Sequence, residues 1–153
     1  MIDHLTLTVR DVDRSVEFYT RALAPLGYRM LMEFERVYGF GDDKPYLWIK
    51  EDDVPTPPQH LAFEAHSRAE VDAFYAAALA AGARDNGPPG LREQYHPTYY
   101  AAFVIDLDGN PIEAVNHQAV RGSHQRAPRK TGKTSSTRKP TRSARMTKRR
   151  KRR

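Results

Sequence analysis

Cysteine is absent from the 153 residues, which excludes disulfide scaffolds, thiolate zinc sites, iron–sulfur clusters and a cysteine nucleophile. Long apolar runs are missing too, and the N-terminal MIDHLTLTVRD lacks a basic-then-apolar leader pattern. A cytoplasmic protein without a membrane segment is the expectation. Acidic residues are missing from one whole region. Residues 119–153 hold 15 Lys or Arg, no Asp or Glu and no aromatic side chain. Such a segment buries too little apolar surface to offset its ordering entropy, so it is expected to be a disordered basic tail. Residues 1–118 hold 10 basic against 19 acidic residues, a net −9, so the +6 of the whole chain describes neither part. Any nucleic-acid contact is therefore expected through residues 119–153 alone, as sequence-independent and salt-sensitive binding.

What the acidic part contains is a repeat. His4-Leu5 recurs as His60-Leu61, Phe18-Tyr19 as Phe74-Tyr75, and Ala22-Leu23-Ala24 as Ala78-Leu79-Ala80, all at an offset of 56. Positions 4–24 and 60–80 share 7 identities in 21, where chance gives about one or two. Asp11 and Ser67 stand at matching helix starts, Ser67-x-x-Glu70 forms a capping box, and Gly27 and Gly82 mark the helix ends.

Each copy opens with a strand. Leu5, Leu7 and Val9 share one face, as do Leu61 and Phe63, which puts His4 and His60 on the opposite, more polar face. The helices carry apolar stripes of Val12, Val16, Tyr19 and Leu23, and of Val71, Phe74, Ala78 and Leu79. Further strands are expected near 28–34, 36–40 and 46–50, and near 99–107 and 112–116, with a weak one near 91–95. The fold class is then α+β: two tandem βαβββ modules, 1–53 and 59–118, joined by the linker DDVPTPPQ. The copy ends align at an offset of 66, which sets Leu47 against Glu113. About ten extra residues of copy two fall in RDNGPPGLREQYHPTYY, read as a Gly- and Pro-rich loop followed by an aromatic cluster.

A pseudo-two-fold between the copies brings equivalent positions near each other. His4, His60 and Glu113 then make two imidazoles and one carboxylate, with an apolar fourth corner at Leu47. These ligands suit a divalent Zn, Fe, Mn or Ni, and three of them leave coordination positions open for substrate.

At these residues the chain resembles the vicinal oxygen chelate superfamily, which includes glyoxalase I, fosfomycin-resistance thiol transferases, extradiol dioxygenases and bleomycin-resistance proteins. The resemblance rests on His4 in HLTLTVRDVDRSVEFY, His60 in QHLAFEA and Glu113 in DLDGNPIEAV, and spans residues 1–118. It implies a mixed sheet curled around a metal-binding crevice and a small substrate that chelates one divalent metal through adjacent oxygens. Lyase, thiol-transferase and dioxygenase chemistries all remain open, and a drug-binding resistance protein of the same fold is the alternative. A typical glyoxalase takes a fourth carboxylate from copy one, where this chain has Leu47. Extradiol chemistry would draw on His96 as acid–base, with Tyr95, Tyr99 and Tyr100 near the substrate oxygens. The resemblance further implies a homodimer in which His4 of one subunit shares a metal with His60 and Glu113 of the other.

Overall fold

A computed structural model describes residues 2–119. The expectation of a disordered tail concerns residues almost all of which lie outside that range.

The first module runs β1 (Leu5–Val9), α1 (Val12–Leu23), a short 3-10 turn (Ala24–Leu26), β2 (Arg29–Phe34), β3 (Val37–Gly41) and β4 (Pro45–Glu51). The second runs β5 (Leu61–Glu64), α2 (Arg68–Ala80), β6 (Arg84–Leu91), β7 (Tyr100–Ile105) and β8 (Pro111–Asn116). Both are βαβββ units. Hydrogen bonding groups the strands into two four-stranded mixed sheets of the same topology, β1-β4-β3-β2 and β5-β8-β7-β6. The first strand of each pairs in parallel with the last, and the other pairs are antiparallel. Among the described residues no strand of one module pairs with a strand of the other.

The helix starts follow the capping chemistry. The Asp11 carboxylate accepts from the Arg14 N–H, and Ser67 Oγ accepts from the Glu70 N–H. Glu70 reaches back to the N–H of His66, and Gly27 ends the 3-10 turn with φ +81°. Leu7, Val9, Phe40, Leu47 and Ile49 of the first sheet are buried with Phe18, Tyr19 and Leu23 of α1. Val104, Ile112 and Ala114 pack in the same core with Val71, Phe74 and Ala78 of α2. The two helices contact each other. Polar ties run between modules as well: the buried Tyr19 hydroxyl donates to Asp106 Oδ2 at 2.7 Å, and Ser15 Oγ to Asp108 Oδ2 at 3.2 Å.

Two details differ from the expectation. The segment RDNGPPGL, read as loop, is strand β6, while residues 92–99, which include most of the weak strand expected at 91–95, form turns. Proline lacks a ladder donor, yet β6 lies at the sheet edge, where one side needs none. Pairing with β7 shifts register between Asp85 and Gly87 and again between Gly87 and Gly90, so the strand bends past its prolines. The following chain folds back through Tyr95 N–H to Arg92 O and Tyr99 N–H to His96 O.

The second correction concerns the offset of 66. Leu5 lies opposite Leu47 as Leu61 lies opposite Ile112, so the counterpart of Glu113 is Trp48 and not Leu47. Gly41 pairs with Pro45 and Phe40 with Leu47, which leaves Tyr46 as an extra residue in β4. In copy two Ile105 pairs with Pro111 and Val104 with Ile112, without an insertion. One bulged residue moves the offset to 65 and turns every later side chain to the other face. Leu47 is accordingly a core residue, 3% exposed.

Candidate functional site

The face of the second sheet turned away from α2 carries His60 and Glu113. Along β8 the two-residue period puts Glu113 and Val115 on this face, with His117 just beyond the strand. Phe103 of β7 is the cross-strand partner of Glu113. Glu113 is only 3% exposed, and a carboxylate so placed must be hydrogen-bonded. The Tyr99 hydroxyl donates to its Oε1 at 2.6 Å, and His60 Nε2–H donates to its Oε2 at 2.9 Å. His60 stands immediately before β5, half exposed, with its ring edge toward Phe103. Burial, followed by the Glu113 carboxylate, pushes the Tyr99 phenol well above its ordinary range. Tyr99 therefore remains a donor at neutral pH.

A second group of side chains fixes the chain before β7. The Thr98 N–H donates to His96 Nδ1 at 3.2 Å, which places the proton of a neutral His96 on Nε2. That nitrogen lies 2.8 Å from His117 Nδ1, and Thr98 Oγ1 donates to the His117 carbonyl at 2.7 Å. The Tyr99 ring meets His96, His117 and Tyr95 edge-on, with centroids 5.0–5.2 Å apart. Of the expected acid–base His96 and the three tyrosines, Tyr95 and His96 thus pack on Tyr99, and Tyr99 alone touches Glu113. Tyr100 faces the opposite way, donating to Asp72 of α2 beneath the Arg68 guanidinium.

The expected metal ligands are brought together in part. His60 and Glu113 are in contact, whereas His4 is exposed with Nδ1 hydrogen-bonded to Asp3 at 2.9 Å. Among the described residues no group of three or more His, Cys, Asp or Glu is gathered to hold a metal ion. At the corner equivalent to Glu113, Trp48 lies over Gly39, leaving no room for a Cβ there. A groove of about 450 Å³ opens between β1 and β5, lined by Leu5, Tyr28, Tyr46 and Phe63, with His60 at its border with the Glu113 face. Phe103 and Arg92, which also line the Glu113 face, have no sequence signature of their own. The β7–β8 register singles out Phe103, and Arg92 is found by its position over that ring.

The profile of the Glyoxalase/Bleomycin resistance protein/Dioxygenase superfamily matches residues 1–114. The chain belongs to this superfamily. Among solved structures, a glyoxalase/bleomycin resistance protein from Albidiferax ferrireducens is 28% identical with a TM-score of 0.67, covering 76% of this chain and 98% of that one. A glyoxalase/bleomycin resistance protein/dioxygenase family enzyme from Burkholderia phytofirmans is 17% identical, with a TM-score of 0.61 over 76% and 98% of the two chains. The genomically encoded fosfomycin resistance protein FosX from Listeria monocytogenes is 20% identical, with a TM-score of 0.59 over 77% and 93%. The last two likenesses show the superfamily fold alone. No curated protein matches the chain. Members of the superfamily are metalloenzymes or resistance proteins.

Proposed function

We propose that residues 1–118 form a divalent-metal-dependent enzyme acting on a small molecule that presents adjacent oxygens to the metal. The observation that carries this reading is the contact between His60 Nε2 and the buried Glu113 carboxylate on the face of the second sheet turned away from α2. One imidazole nitrogen and one carboxylate, 2.9 Å apart, fit two ligand positions of a borderline divalent ion once that nitrogen has given up its proton. The third is His4 from a second copy of the chain. Its Nδ1 is engaged by Asp3, which leaves Nε2 as the ligating atom, the arrangement a carboxylate-oriented metal histidine requires. When bound, such an ion supplies Lewis-acid polarisation of two adjacent substrate oxygens. Tyr99 holds a proton beside Glu113, and His96, its tautomer set by Thr98, offers a second proton site next to it.

Elemental analysis of the full chain purified without chelator is expected to find close to one divalent ion per subunit. His60→Ala and Glu113→Gln should each lose most of it, and a chain without metal in any preparation would refute the reading. A second reading is that the chain binds a drug without chemistry. It is favoured by the lack, among the described residues, of a third His, Cys, Asp or Glu beside that pair. It predicts ligand binding unchanged by Glu113→Gln.

Residues 119–153, with their 15 cations, are proposed as an appendage that contacts polyanions by counterion release. Deleting them should abolish retention on immobilised DNA and leave metal content unchanged. Retention by the truncated chain with a steep salt dependence would contradict this division.

A further inference from the structure

Strand β6 is costly to build, with two prolines, two glycines and two shifts of register, and its geometry has a beneficiary. Arg92, the residue after β6, turns back along the strand. Its Nη2 donates to the Pro88 carbonyl at 2.6 Å and its Nη1 to the Leu91 carbonyl at 3.4 Å. The guanidinium carbon stands 5.4 Å from the Phe103 ring centroid. The glycines make the space: a Cβ at Gly90 would come within 2.9 Å of Arg92 Nη1. One at Gly87 would come within 3.2 Å of Phe103 and 3.5 Å of Arg92 Nη2.

Phe103 is also the floor of the Glu113 site, being the cross-strand partner of Glu113 with the His60 ring edge-on to it at 6.4 Å. The same aromatic ring therefore carries the guanidinium and the His60–Glu113 pair. Among the described residues no carboxylate lies within 4.0 Å of Arg92. Two carbonyls orient the group without neutralising it, and three of its five N–H donors stay unassigned. A planar cation oriented by two carbonyls and without a protein counter-charge has the donor geometry to receive an oxyanion.

We propose that Arg92 recognises a carboxylate or phosphonate of the substrate, so that the ligand is a small oxyanion whose adjacent oxygens reach toward His60 and Glu113. The identification of the ligand as the substrate rests on the metal-site reading above, while the anion site itself is independent of it.

The test is NMR of the chelator-treated full chain, titrated at physiological ionic strength with acetate, methylphosphonate and neutral acetamide. The two anions should shift the Arg92 Nε–H and Phe103 ring signals saturably, and acetamide should not. Whichever anion binds more tightly identifies the substrate group. Arg92→Gln should weaken the binding about tenfold or more, with Arg92→Lys intermediate because it keeps charge and loses the fork. Gly90→Ala, whose backbone conformation suits any residue, pushes Nη1 aside and should weaken binding while leaving the fold intact, which separates recognition from a merely structural role. Shifts confined to residues 119–153, equal response to acetamide, or unchanged affinity in both Arg92→Gln and Gly90→Ala would overturn the proposal. A chain that binds the anions and takes up no metal would refute the metal reading alone.

Discussion

Removing the Tyr99 hydroxyl strands Glu113 Oε1 in a site with almost no access to water. Tyr99→Phe keeps the ring that packs against His96 and His117, so the lost donor is the main change. Leaving a buried charged acceptor short of a partner costs about 1–3 kcal/mol, and chemical denaturation should read that loss. Unchanged stability would mean that water reaches Glu113. His60 and Glu113 were legible from sequence because the repeat named the second histidine from the first, and alternation set the faces. The bond from Tyr99 to Glu113 and the place of Arg92 on Phe103 were less so, because both depend on how the chain turns between β6 and β7. The pairing of His117 with His96 depends on the folded-back turns of 92–99, which the sequence pattern does not show.

At the scale of elements, the informative failures are β6 and the bulge at Tyr46. Composition argues against a strand in RDNGPPGL, and the edge position overrides it, since an edge needs donors on one side only. A single inserted residue is invisible in an alignment of eight positions, yet it exchanges core and crevice. The register predicts a clear asymmetry. Leu47→Glu places a carboxylate in the core and should cost about 3 kcal/mol or more. Trp48→Glu places it at the corner equivalent to Glu113, where it should leave the fold intact and tighten zinc binding about tenfold by adding a charged ligand. Chelator competition and denaturation together measure both. Equal destabilisation by the two substitutions would contradict the register.

For the whole molecule, the bond from Tyr19 of α1 to Asp106 before β8 ties one module to the other. Burial, then the Asp106 charge, raises the Tyr19 phenol well above its usual value. Tyr99 is raised as well. A tyrosine raised in the folded state binds its proton more tightly there than in the unfolded chain. Its contribution is whole below about pH 10 and is lost as pH rises from there toward the folded value. Unfolding free energy should therefore fall above about pH 10, and Tyr19→Phe should flatten that fall while lowering stability at neutral pH by about 1–3 kcal/mol. A variant with the same alkaline slope as the parent would place the loss elsewhere.

The two-module architecture and the core were readable because patterning and capping repeat across copies. The separation of His4 from the His60–Glu113 pair was not, because pseudo-symmetry relates positions without bringing them into contact. Metal content in a mixture of His4→Ala and Glu113→Gln chains tests the shared site directly. Each variant alone should bind almost no metal. After co-refolding, random pairing gives heterodimers with one intact site, restoring about a quarter of the wild-type content. Recovery to that level is the predicted result, and no recovery while the wild-type chain binds one ion per subunit would contradict it.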